Sequence, residues 1–199
     1  MDFRGIAARV LDIVIPPRET EKLVRTLVLD DLRSMSYHDP RVRALVWELK
    51  YFAHPKAVAL AGALLSEVLL EIASKNPEKY LLIPVPMHAA RLRERGHNQT
   101  EMLCESVLRN LGKERSGAFE YRKNTLARVK ATPQQQGLQK HEREHNLQRS
   151  MKVFDNTVRG RTCVVVDDVS TTGATFAEAT RALREAGAGQ IICVALAYS

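Results

Sequence analysis

Residues 162–175 read Thr162-Cys-Val-Val-Val-Asp-Asp-Val-Ser-Thr-Thr-Gly-Ala-Thr175, and the reading of this stretch decides the fold. Cys163 to Val166 form an apolar run without alternation, the mark of a strand buried on both faces in a parallel sheet. The run stops at two adjacent carboxylates, Asp167 and Asp168, and a hydroxyl- and glycine-rich loop follows. Phe176 to Ala186 then reads as a helix. Ligands of open α/β sheets sit just beyond the carboxyl ends of such strands. The groups gathered there suit a phosphorylated sugar. Backbone N–H groups of Thr171 to Thr175, near a helix N-terminus, can cradle a phosphate. The hydroxyls of Thr171, Thr172 and Thr175 add donors, while Asp167 and Asp168 can accept from vicinal ribose hydroxyls or reach a hydrated Mg²⁺.

Three other readings compete. An apolar run ending in Asp-Asp is also the form of a Walker B strand, but no G-x-x-x-x-G-K-[ST] loop occurs in the chain. A receiver-type acidic pair ends an early strand, and this pair comes late. A structural turn needs neither two carboxylates nor the hydroxyls that follow them. The stretch resembles, over its full length, the motif with which type I phosphoribosyltransferases bind 5-phosphoribosyl 1-pyrophosphate (PRPP).

At 199 residues the chain suits one domain with a small appendage. Hydrophobic content of 45% with 27% charged residues belongs to a globular chain with a real core. No apolar run approaches the length of a membrane span, and the charged start, Met1 to Asp12, lacks the apolar region of a secretory signal. Cys104, Cys163 and Cys193 are scattered without a C-x-x-C pair, as expected of small buried hydrophobes in a reducing cytoplasm. A net charge of +7 points to anionic partners, phosphorylated ligands or nucleic acid, and does not choose between them.

The remainder falls into order around the central strand. Helical spacing predicts helices over 3–14 and from Glu19 to about Met35, split by Pro16-Pro17. A third follows Pro40 and carries Trp47, expected as a core or interface residue rather than a base-stacking one. A fourth runs from Pro55 to near Asn76. Tyr80 to Pro86 reads as a strand, and a loop dense in arginine follows: Met87-His-Ala-Ala-Arg-Leu-Arg-Glu-Arg-Gly-His-Asn-Gln99. Asn98-Gln-Thr-Glu101 has the spacing of a capping box, so a helix should start at Asn98 and stop near Gly112. Gly96, that helix N-terminus and the charges of Arg91, Arg93 and Arg95 form a second candidate anion site, again past a strand's carboxyl end. Strands are expected near Ala118–Tyr121, Ser150–Phe154 and Gln190–Ala197, with a long polar loop from Arg128 to Asn146. The coarse order is four helices, then β-α-β-loop-β-β-α-β, an α/β fold with a parallel-rich sheet flanked by helices.

The whole chain resembles the ComF family of phosphoribosyltransferase-like proteins, through Pro84 to Gln99, Thr132-Pro-Gln134 with Arg143 and Asn146, and Val165 to Thr175. The resemblance implies a type I phosphoribosyltransferase-like domain over 37–199 behind an N-terminal helical segment, 1–36. It places Asp167 and Asp168 on the ribose hydroxyls and a water-mediated Mg²⁺, and Ser170, Thr171, Thr172, Gly173, Ala174 and Thr175 on the 5-phosphate. His88, Arg91, Arg93, Arg95, Gly96 and Asn98 would face pyrophosphate, with Arg91 and Arg95 helping it leave, and Arg128, Lys130, Gln134 and Arg143 would belong to a closing loop. Many ComF proteins carry an N-terminal cysteine cluster that looks zinc-binding; here Pro16-Pro17-Arg-Glu-Thr-Glu-Lys-Leu stands in its place, so zinc is not expected. The implied activity is transfer of a phosphoribosyl group to a nitrogen nucleophile, a pentosyl transfer. The alternative is a non-catalytic phosphosugar- or nucleic-acid-binding accessory to DNA uptake, with single-stranded DNA or the competence machinery as partner. A homodimer is compatible with either.

Overall fold

The computed structural model describes residues 20, 24, 36–76, 78–130 and 149–199. Apart from Thr20 and Val24, the two N-terminal helices expected from the sequence lie outside the described residues, as do Gln134 and Arg143. The elements are α1 (Pro40–Trp47), a π turn (Glu48–Phe52), α2 (Pro55–Lys75), β1 (Tyr80–Pro84), α3 (Ala89–Arg95), α4 (Gln99–Ser116), β2 (Phe119–Tyr121), β3 (Leu126–Arg128), β4 (Met151–Val153), β5 (Cys163–Ser170), α5 (Ala174–Glu185) and β6 (Ile191–Tyr198).

Four parallel strands form the sheet in the order β2-β1-β5-β6. The central strand is β5, paired through Leu81↔Cys163 to Pro84↔Val166 on one side and Cys163↔Ile191 to Ser170↔Tyr198 on the other. Both faces are covered, which is why β1 and β5 read as unbroken apolar runs. Leu82, Val164, Val166, Val194 and Leu196 pack against Leu45, Leu49, Ala61, Leu65, Leu69, Leu103 and Val107 of the α1, α2 and α4 side. Leu81, Ile83, Cys163 and Val165 point the other way, onto Phe176, Ala179 and Leu183 of α5 and onto Leu126 and Met151 of the hairpin β3–β4. That hairpin is antiparallel and separate from the sheet.

By length and composition alone, α2 is apolar enough to cross a membrane. Its apolar stripe of Ala57, Ala61, Leu65 and Leu69 is instead buried in the core. Gly62 lets α4 approach closely: a Cβ there would stand 2.2 Å from Ser106 Oγ. Among the N-terminal residues, Thr20 Oγ1 donates to the buried Glu48 carboxylate at 2.6 Å, and Val24 is fully buried in the same core.

Five local features depart from the sequence reading. The arginine loop folds over Ala89–Arg95 into α3, with His88 as its N-cap and Gly96 (φ +83°) as its stop. α4 does not end near Gly112 but only kinks there (φ +68°, ψ 177°), and helical residues continue to Ser116. β3 was not anticipated, since Leu126–Arg128 is too short to show alternation. β5 does not end at Val166 but runs through the acidic pair to Ser170. Finally, α5 opens at Ala174 after Gly173 (φ +74°), so Ala174 and Thr175 are helical residues.

Candidate functional site

The site lies where the carboxyl end of β5 meets the π turn and α4. Both carboxylates are nearly inaccessible: Asp167 is 7% exposed and Asp168 4%. Asp168 is held on every side. Its Oδ1 accepts the Val169 N–H at 2.7 Å, and its Oδ2 accepts from Gln99 Nε2 at 3.0 Å and meets Lys50 Nζ at 3.3 Å. Asp167 accepts the Asp168 N–H at 2.8 Å. Burial, then the neighbouring charge of Asp168, pushes the Asp167 carboxyl well up from its ordinary range, against the weaker pull of Lys50 and Arg128. For Lys50 burial works against the ammonium, but Asp168, Tyr37 and Asp167 outweigh it and its pKa is raised.

Lys50 comes from the π turn, which widens the end of α1 and closes on Ala53 in the left-handed region (φ +50°). Such turns occur often at functional sites. A ring nitrogen of His97, Nε2, lies 3.1 Å from the Leu49 carbonyl, tying the segment between α3 and α4 to this turn. Arg95 completes the link. Its guanidinium lies 5.1 Å over the Tyr51 ring, donates to Gln99 Oε1 at 3.2 Å, and is partly desolvated, which lowers its pKa. Tyr51 in turn packs on Trp47, with ring centroids 4.3 Å apart. A continuous chain therefore runs Trp47–Tyr51–Arg95–Gln99–Asp168–Lys50. On the other side, Arg128 Nε donates to the Pro86 carbonyl at 3.2 Å; burial lowers its pKa, and the charges of Asp167 and Arg91 act on it.

The remaining candidates divide by position. Thr171, Thr172 and Gly173 link β5 to α5, with Thr172 Oγ1 accepting the Ala174 N–H at 3.4 Å. Ser170 uses its carbonyl to accept the Ser199 N–H at 3.1 Å. Asn98 is turned inward as the cap of α4: its Oδ1 accepts the Thr100 N–H, and its Nδ2 donates to the Val85 carbonyl and Glu101 Oε1. This is a capping box closed side chain to side chain, a contribution of about 1 kcal/mol. His88 Nδ1 likewise accepts the Ala90 N–H, at 3.2 Å. Arg93 is exposed on α3. Arg95 and Arg128 are thus near the acidic pair, with the charge of Arg91 acting on both, while Asn98, His88 and Arg93 serve or decorate helix ends. The sequence reading missed Lys50 and the contact role of Gln99. Gln99 stood inside the arginine stretch, but nothing in the sequence singles out Lys50, which the π turn presents to Asp168.

A doubly covered parallel sheet, with a buried acidic pair at the end of its central strand and a threonine loop leading into a helix, defines a phosphoribosyltransferase-type domain. The chain belongs to the phosphoribosyl transferase domain family, whose sequence profile matches residues 50–199. It is similar to the DNA utilization protein YhgH of Salmonella typhi, at 35% identity over 80% of this chain and 68% of that protein. Competence protein F of Haemophilus influenzae is 36% identical over 59% of this chain and 48% of its own length. Among solved structures, the phosphoribosylpyrophosphate synthetase of Mycobacterium smegmatis aligns at 24% identity with a TM-score of 0.39. The aligned region covers 68% of this chain and about a third (32%) of the synthetase.

Proposed function

We propose that the protein binds PRPP with Mg²⁺ and transfers its phosphoribosyl group to a nitrogen nucleophile, releasing pyrophosphate. The observation that carries this reading is the buried Asp167–Asp168 pair, set between the threonine loop that opens α5 and the cations Lys50, Arg95 and Arg128. The threonine loop and the first turn of α5 would hold the 5-phosphate, and the acidic pair the ribose hydroxyls. In the transfer, the C1–oxygen bond to pyrophosphate breaks, a bond from nitrogen to C1 forms, and the nitrogen loses a proton. The protein's part is to position two anionic ends and stabilise the charge that builds on the leaving group. Arg91, Arg95 and Arg128 are the groups placed for that task.

The donor set also defines how Mg²⁺ would fit. Both oxygens of Asp168 are engaged, and no three metal-type side chains gather among the described residues. The residues fit an ion that arrives on the phosphorylated ligand and keeps its waters, with Asp167 as the carboxylate to hold it. When bound, the ion would neutralise charge on the leaving group.

The decisive experiment is calorimetry with PRPP, with and without Mg²⁺. Wild type should bind with Mg²⁺, and Asp167→Asn combined with Asp168→Asn should abolish binding; equal affinities for both proteins would refute the site. Pyrophosphate release in a panel of amine and base acceptors then tests transfer. The names of the relatives, one for DNA utilization and one for competence, favour a second reading: a binding module in DNA uptake that uses the same site, or its basic loops, without transfer. It requires silence across the acceptor panel and an oligonucleotide affinity that falls steeply with salt.

A further inference from the structure

Arg128 and Met151 are register partners across the β3–β4 hairpin. The next rung is closed by the Val129 N–H on the Ser150 carbonyl at 2.7 Å, so Met151 turns its own N–H and carbonyl outward, away from Arg128. Both outward groups are caught by α5. Glu178 Oε1 accepts the Met151 N–H at 2.9 Å, and Arg181 Nη2 donates to the Met151 carbonyl at 2.9 Å. The two side chains also hold each other, through Arg181 Nε to Glu178 Oε2 at 2.9 Å and Nη2 to Oε1 at 2.8 Å. Glu185 steadies the far side of the guanidinium at 2.6 Å. Glu178 is 5% exposed. Burial of its carboxylate is outweighed by Arg181 and the Met151 N–H, and its pKa is lowered.

Helix–hairpin packing alone does not need an ion pair inserted at the one residue that faces Arg128. The apolar packing of Leu126 and Met151 on Phe176 and Ala179 already supplies adhesion. What the clamp adds is direction. Charge-assisted hydrogen bonds fix geometry more tightly than apolar packing, and here they fix the strand position opposite Arg128. From that position Arg128 reaches the Pro86 carbonyl at the base of the arginine segment, within the fields of Asp167 and Arg91.

We propose that Glu178 and Arg181 are positioning residues for Arg128. Through Met151 they set the affinity of the site for the pyrophosphate group of its ligand, separately from its affinity for ribose 5-phosphate. This rests on the proposed binding of PRPP. Since α5 also opens at the threonine loop, one rigid helix would align the two anion-binding ends of the site.

The test compares calorimetric affinities for PRPP and for ribose 5-phosphate in wild type, Arg128→Met, Arg181→Met and the double variant. Arg181→Met should weaken PRPP about tenfold and ribose 5-phosphate less than about twofold, the scale of a single charge-assisted hydrogen bond. The double variant should bind PRPP no more weakly than Arg128→Met alone, because both changes remove the same interaction. Arg181→Lys should recover part of the loss. Parallel losses on both ligands, or additive losses in the double variant, would overturn the proposal. If Arg181→Met does not fold, Glu178→Gln, which keeps an acceptor for the Met151 N–H, should show the same selectivity in smaller measure. Amide exchange in ligand-free protein gives an independent readout: Arg181→Met should accelerate exchange at Val129 while leaving Val164 to Val166 protected, and unchanged exchange at Val129 overturns the clamp. A wild type that binds neither ligand would refute the PRPP reading, and the exchange experiment would still decide the clamp.

Discussion

Replacing Lys50 by Met removes one charge from the acidic pair while keeping most of the side chain's bulk. At 3.3 Å from Asp168 Oδ2, the ammonium gains about 5 kcal/mol of Coulomb energy at an effective dielectric of 20, before the cost of burying it. Truncating one partner of a fully buried pair costs about 3–5 kcal/mol when the other charge is left alone. Asp168 is not left alone, because Gln99 Nε2 and the Val169 N–H remain on it, and the Lys50 side chain keeps 27% exposure. We therefore expect a loss of about 2 kcal/mol, the lower end for a partly compensated charge. For a chain of this size that corresponds to a fall in Tm of about 4–8 °C. Lys50→Arg should retain most of the stability. The pH dependence comes from the raised pKa of Lys50. Its contribution is complete below the ordinary 10.5 and is lost as pH rises through the still higher folded value. The Lys50 charge should thus keep stabilising the fold from neutral pH to about 10.5, and its contribution should be lost only above that. Calorimetric melting across that range checks this. A Tm within about 1 °C of wild type, or an equal fall for Met and Arg, would refute the reasoning.

Three further outcomes are expected. The raised pKa of Asp167 means that the folded state holds its proton more tightly than the unfolded one, so its contribution to stability falls as pH rises above 3.8. Asp167→Asn should flatten the decline in urea stability between acid and neutral pH, and an unchanged slope would contradict the assignment. Gly62→Ala should destabilise by about 1–3 kcal/mol, as overpacking does, because its Cβ would meet Ser106 Oγ at 2.2 Å; Ser106→Gly should restore much of the loss in denaturant melts. Burial pushes all three thiols upward, Cys163 to about 11. Labelling at neutral pH should therefore be slow in the native protein and fast in denaturant.

Much of the fold was legible because its strands are buried on both faces. Cys163–Val166 and Tyr80–Pro84 have no alternation to confuse with an exposed strand, and Pro40, Pro55 and Asn98 announce helix starts that the structure keeps. The acidic pair and the threonine loop were visible for the same reason: polar residues in that position have no packing explanation. The features that stayed hidden were set by tertiary structure. Leu126–Arg128 is a strand only because Met151–Val153 pairs with it. Asn98 carried two expectations, helix cap and ligand group, and its polar atoms are turned into the cap of α4 and onto Val85. Lys50 was invisible because its place depends on a widened turn that no residue pattern announces.

That turn also restricts the history of the chain. A π turn amounts to one residue added to a regular helix. Deleting Glu48 would restore regular α geometry and rotate the residues before it by about 100° relative to those after it. The repaired helix would be better formed, but it could not keep both the core packing of Leu45 and Leu49 and the ammonium of Lys50 on Asp168. Length variation should therefore be tolerated in the loops of this protein and excluded from this one helical junction, where a single codon separates a regular helix from the contact of Lys50 with Asp168.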